Sequence, residues 1–111
     1  MKEIVFYTIA RKQLIEIHDY IAQDSPANAV KVYNGILDEI EVLMSFPQIA
    51  RIEESLKGLG VEFRSLVVLR RYKVVYFTEE STVYIFMVWD CRRNSEEFRQ
   101  SVLKSFVQGS E

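Results

Sequence analysis

From Val83 to Trp89 the chain reads VYIFMVW, with no polar residue to interrupt it. The run is far too short to cross a bilayer, which needs roughly 20 residues. It is rich in β-branched and aromatic residues, which favour a strand. Successive side chains of a strand point to opposite faces, so an unbroken apolar strand must be covered on both. Val83–Trp89 therefore belongs in the middle of a sheet, and the rest of the chain has to supply its neighbours and its covers.

Neighbours are at hand. "EFRSLVVL" (62–69) and "YKVVYFT" (72–78) have strand composition, and the links "RR" and "EES" are of hairpin length, which predicts a meander with 82–89 as its last strand. "EIVFY" (3–7) predicts a further strand. The covers follow from a change of period. Ala10, Leu14, Ile17 and Ile21 recur at helical spacing, predicting a helix over 8–23. Ser25 and Pro26 suit the N-cap and first turn of a second helix running to about Phe46, with Ala29, Val32, Tyr33, Ile36, Ile40 and Leu43 as its apolar stripe. Pro47 stops it, and the short link folds the two helices into an antiparallel hairpin. Residues 48–61, with Gly58 and Gly60, read as a loop or a frayed helical turn. Asn94 or Ser95 caps a closing helix with Glu96 and Glu97 in its first turn and Phe98, Val102 and Phe106 as its stripe. The expected fold is α+β, in the order β-α-α-β-β-β-α, with an antiparallel-rich four-stranded sheet packed against a helical hairpin. A chain of 111 residues fits one domain spanning 1–111.

Cys91 is the single cysteine, so no intrachain disulfide forms, and no signal-peptide pattern opens the sequence. A cytoplasmic protein without a membrane segment is expected. His18 and Cys91 are too few for a zinc ligand set, and no metal or cofactor is expected. His18 reads as a packed or half-exposed side chain beside the helix stripe, and Cys91 as a small packing residue. Gly35 inside the second helix costs about 1 kcal/mol relative to alanine, which suggests close packing there.

Charge is unevenly spread. Residues 1–56 hold five lysines and arginines against nine acids, and residues 57–111 hold nine against seven. Between 57 and 76 stand Lys57, Arg64, Arg70, Arg71 and Lys73 against Glu62 alone. An anionic partner should meet that segment, together with Arg92 and Arg93 past the last strand.

The segments "LIEIHDYIAQDSPANAV" (14–30), "FPQIAR" (46–51), "FRSL" (63–66), "RYKVVY" (71–76) and "VWDCRRN" (88–94), in this order, resemble the RelE/ParE superfamily of toxins from type II toxin–antitoxin modules, the plasmid stabilisation proteins. The resemblance covers nearly the whole chain and implies a toxin neutralised by a cognate antitoxin, with homo-oligomers or hetero-oligomers as expected assemblies. Its function divides. RelE-type members enter the ribosomal A site and cleave messenger RNA without metal, using cations on the sheet. ParE-type members inhibit DNA gyrase and are not nucleases. Carried over from the RelE pattern, Arg64, Lys73 and Arg92 would be catalytic. Arg64, Arg70, Arg71, Lys73, Arg92 and Arg93 would bind the partner in either case.

Two departures weigh against cleavage. Leu66 stands where the RelE pattern has lysine, and Phe98 where it has a tyrosine. Attack by a 2′-hydroxyl needs charge stabilisation and proton transfer, each worth about 10²-fold or more. The cations supply the first. Tyr72 and Tyr76, with ordinary phenol pKa values near 10, are poor bases, and Glu62 is another candidate. The expected function is a ParE-like, gyrase-directed, non-cleaving toxin. A RelE-type endoribonuclease and a degenerate, non-toxic interaction domain are the alternatives.

Overall fold

The computed structural model describes residues 2–107, with only the backbone of Ser95, Phe106 and Val107. The chain runs β1 (Glu3–Phe6), α1 (Thr8–Ala22), α2 (Pro26–Glu41), β2 (Arg51–Ile52), β3 (Arg64–Val68), β4 (Tyr72–Glu79), β5 (Thr82–Asp90) and α3 (Ser95–Val107). Short 3₁₀ turns occupy Val42–Met44 and Glu54–Leu56. The sheet has five strands in the order β1-β5-β4-β3-β2. β1 runs parallel to β5, and every other pairing is antiparallel.

The expected four-stranded sheet is thus corrected to a mixed sheet of five. The added strand, β2, lies in the segment read as a loop and pairs only Arg51 with Ser65 and Ile52 with Arg64. Two residues are too few to leave an alternating pattern in the sequence.

β5 lies inside the sheet between β1 and β4, as its composition demands. Val83, Ile85 and Val88 face α1 and α2, while Phe86, Met87 and Trp89 face the other side. The two consecutive residues Phe86 and Met87 share a face because of a β-bulge. Val75 lies across from Met87 and Tyr76 from Ile85, leaving Phe86 as the extra residue.

On one face Ala10 and Leu14 of α1 and Ile36 and Ile40 of α2 pack on Val68, Val74 and Tyr76. Burying each such aliphatic side chain contributes about 1.5–3 kcal/mol. On the other face Phe98 and Val102 of α3, with Leu56 from the 3₁₀ turn, cover Val75, Met87 and Trp89. The expected stripe position Phe106 has a side chain outside the described residues.

The caps act as their residue types require. Ser25 Oγ accepts from Asn28 N–H at 3.1 Å, with Pro26 opening α2. Asn94 Oδ1 accepts from Glu96 N–H at 2.6 Å ahead of α3. α2 ends at Glu41, short of the expected Phe46, because its continuation tightens into the 3₁₀ turn before Pro47. Leu69, at the β3–β4 turn, leans over Gly35 at 3.5 Å from where a Cβ would stand.

Candidate functional site

β3 and β4 are paired so that Arg64 lies across from Tyr76 and Val67 from Lys73. Because side chains alternate, Arg64 falls on the α1–α2 face and Lys73 on the α3 face. Arg64 and Tyr76 both fasten the segment that leads into β2. Arg64 Nη1 donates to the Ala50 carbonyl at 2.7 Å and Tyr76 Oη to the Pro47 carbonyl at 2.7 Å. Arg64 Nη2 also reaches Glu62 Oε1 at 3.5 Å, and 19% of its side chain is exposed.

Lys73 has an internal partner of its own. Its Nζ stands 3.1 Å from Glu53 Oε1, on a carboxylate whose side chain is only 12% exposed. The same carboxylate accepts from Ser65 Oγ, and from Ser55 Oγ at 2.6 Å. Burial pushes the Glu53 carboxyl up, but the hydrogen bonds from Ser55, Ser65 and Lys73 and the lysine's charge outweigh it and hold the group below its ordinary pKa. Lys73 Nζ also lies 4.5 Å from the centre of the Phe98 ring, a cation–π contact.

The remaining arginines gather at the far end of the sheet. Tyr72 pairs with Asp90, and Cys91 N–H donates to the Arg71 carbonyl at 2.8 Å, which brings the β3–β4 turn beside the end of β5. Asp90 is the anion there. Arg92 grips it with Nε at 3.2 Å and Nη2 at 2.9 Å, its backbone N–H adds a bond at 2.9 Å, and Arg71 Nε approaches to 3.9 Å. The Arg92 hydrogen bond holds the Asp90 carboxyl below its ordinary pKa. Arg93 lies over the Trp89 ring at 4.2 Å and reaches Glu97 at 3.9 Å. Arg70 is exposed at the turn with a left-handed backbone, φ 56°, and forms no ion pair among the described residues.

Of the expected cluster, Arg70, Arg71, Arg92 and Arg93 come together at one end. Arg64 stands across from Tyr76, four residues along β4 from Tyr72, roughly 14 Å away at the rise of an antiparallel strand. The expected catalytic trio of Arg64, Lys73 and Arg92 is therefore split by face and by distance, and each member holds an internal partner. Burial pushes the phenols of Tyr72 and Tyr76 up, further from the range of a base. Phe98 is buried against Trp89, with ring centres 5.4 Å apart, and Leu66 packs toward the α1–α2 core.

Two acids that hold the cations of the sheet, Asp90 at the arginine end and Glu53 beside Lys73, were missed in the sequence. Asp90 stands directly before Cys91 and the arginine pair, where an Asp two residues from Arg92 is a readable signal. Glu53 lies in "RIEES", whose strand character is too brief to read. Cys91, expected to pack, is exposed, and partial burial of the thiol pushes its pKa up. His18 is half-buried, bonded to Asp19 at 3.0 Å and edge-on to Tyr33.

A family model described as the ParE toxin of type II toxin–antitoxin systems, parDE, matches residues 4–95. The chain belongs to the ParE toxin family. A solved structure titled "Chromosomal ParDE TA system from P. aeruginosa" is similar to this ParE-family chain with a TM-score of 0.68 and 19% sequence identity, covering 81% of this chain and 96% of the other. At that identity the likeness speaks for the fold. No curated protein sequence matches the chain. Among the described residues, no helix is long and apolar enough to cross a membrane, and no three of His, Cys, Asp and Glu gather as a metal site would require.

Proposed function

We propose that this ParE-family chain is the toxin of a type II module, neutralised by a cognate antitoxin in the cytoplasm, and that it acts on DNA gyrase without cleaving RNA. The observation that carries this reading is the Glu53–Lys73 pair, 3.1 Å apart on the face opposite Arg64. A phosphate undergoing 2′-hydroxyl attack needs cations converging on one point and a group to move a proton. Lys73 is neutralised before any phosphate arrives, Arg64 is occupied with Ala50, and the tyrosine hydroxyls of β4 are poor bases.

What stays accessible to a target is the end with Arg70, Arg71, Arg92 and Arg93, where Arg92 and Arg93 keep 63% and 53% of their side chains exposed despite pairing with Asp90 and Glu97. Its cations are spread over a turn and a strand end, an arrangement suited to recognising an acidic protein surface. The solved relative named a ParDE system supports an antitoxin as the natural inhibitor. Induced expression tests the reading. Growth should stop without the antitoxin and resume when the reading frame adjoining the gene is co-expressed. Unimpaired growth at high expression would contradict toxicity and leave a non-toxic interaction domain.

A further inference from the structure

We propose that Asp90 is a counter-ion shared between two arginines, and that it passes from Arg92 to Arg71 when Arg92 takes hold of a carboxylate side chain on the target protein. The proposal rests on the target reading above for the class of partner, and names the arginine that grips it and the group that releases that arginine.

A buried donor without an acceptor marks the place. Among the described residues, Arg71 Nε is the one buried side-chain nitrogen or oxygen that has no hydrogen-bond partner. Buried polar groups in native folds are nearly always satisfied, so an orphan needs a reason. The anion beside it is Asp90, whose Oδ2 stands 3.9 Å away, too far for a hydrogen bond. Arg92 holds both oxygens of that carboxylate, Oδ1 through its backbone N–H and Nε and Oδ2 through Nη2. Because Arg71 Nε is closed off from solvent, an incoming molecule cannot satisfy it directly. Asp90 can, by a shift of about 1 Å.

The two arginines are held differently. Arg71 N–H donates to the Val68 carbonyl at 3.1 Å and its own carbonyl accepts from Cys91 N–H at 2.8 Å. Its guanidinium lies 5.2 Å from the centre of the buried Tyr72 ring, so the side chain waits in a fixed place. Among the described residues the Arg92 guanidinium is tied to Asp90 alone, with most of its side chain in solvent. Water screens an exposed ion pair of this kind, so exchanging its acid for another costs little. Passing Asp90 to Arg71 frees the whole Arg92 fork and satisfies the orphan in the same step.

Charge chooses the occupant. Arg71, Arg92 and Asp90 together leave one surplus positive charge, which one carboxylate balances, and a planar guanidinium meets a carboxylate through two parallel bonds. A nucleic acid fits less well. Its affinity is built from many phosphates on a basic surface, whereas this chain carries a net charge of −2 and sets Glu97 beside Arg93.

A double-mutant cycle on the full chain, read as binding to immobilised DNA gyrase, tests the transfer. Arg71→Met keeps the stem and removes the fork, so Asp90 stays on Arg92 and binding should weaken about tenfold. Asp90→Asn should bind no more weakly than the parent, and in that background Arg71→Met should change binding by less than about twofold. Equal losses through Arg71→Met in both backgrounds would make Arg71 a direct contact, overturning the transfer and leaving gyrase as the target. Weaker binding by Asp90→Asn would make Asp90 a support for Arg92 and overturn it too. A second arm needs neither gyrase nor a substitution. Hexaglutamate peptide added to the parent chain should move the Arg71 Nε–H resonance downfield as it gains an acceptor, and an unmoved resonance at saturation overturns the proposal. The same shift produced by hexathymidylate at lower concentration overturns the carboxylate in favour of phosphate. If the parent does not bind gyrase, the target reading falls and the peptide arm decides the transfer by itself.

Discussion

Lys73 and Arg64 occupy opposite faces of one sheet. Lys73 lies across from Val67 and Arg64 across from Tyr76, so the two levels are three positions apart along β3 and the side chains diverge. A single phosphate cannot be gripped by both. Each cation instead organises its own face, Lys73 through Glu53 and Arg64 through the Ala50 carbonyl.

Glu53 should therefore be a stability residue. Removing one partner of a buried, hydrogen-bonded charge pair costs several kcal/mol when burial is complete. With a quarter of the Lys73 side chain exposed, Glu53→Gln should cost about 1–3 kcal/mol in urea unfolding. A carboxyl with a depressed folded pKa contributes stability above its unfolded value, near pH 4.3, that is lost as pH falls through the folded value. The parent should lose stability on acidification below that point, and Glu53→Gln should lose less over the same window. Parallel acid limbs for the two proteins would contradict the network.

Arg93→Ala separates partner binding from fold. The guanidinium is half exposed and lies over Trp89, so its removal should cost no more than about 1 kcal/mol. Arg64→Ala, which strips a part-buried bond from Ala50, should cost about 1–2 kcal/mol. If Arg93→Ala abolishes toxicity at near-parent stability, the arginine end is a contact surface. A loss of stability larger than that of Arg64→Ala would make Arg93 structural.

The left-handed turn offers a gain-of-stability test. Replacing Leu69 and Arg70 together by Asn-Gly should raise stability by about 1–2 kcal/mol by relieving strain. The same replacement should weaken antitoxin association, most at low salt, because exposed charges act over about 10 Å at 0.1 M. Thermal unfolding and association rates across a salt series read the two effects separately.

Phe98→Tyr should not create a ribonuclease. The ring is buried on Trp89, with Lys73 Nζ 4.5 Å from its centre, so an added hydroxyl must be taken into packed core. A buried hydroxyl that finds no hydrogen-bond partner costs about 1–3 kcal/mol. Primer extension on ribosome-bound message should show no new cut. Cleavage by Phe98→Tyr that is lost with Arg92→Ala would reverse the reading.

The layers of the fold were legible because each is written at a clear period. Leu14 and Ile36 recur at helical spacing, and the VYIFMVW run demands cover on both faces. Ser25 and Pro26 fix a helix start by local chemistry alone. β2 was not legible, since two residues make no pattern. Neither was the split of the cations, which depends on which residue of β3 meets which residue of β4. A one-residue change of register moves every side chain to the other face, and composition does not encode it. Glu53 was hidden for the same reason, because it becomes the partner of Lys73 only once β2 is placed beside β3.

The central claim is that this ParE-family chain acts without cutting RNA. Purified chain, incubated in parallel with translating ribosomes and with DNA gyrase in a supercoiling reaction, tests it most directly. The account predicts intact message at every codon and loss of supercoiling that the antitoxin reverses. Codon-positioned cuts in the message with gyrase activity unchanged would contradict it.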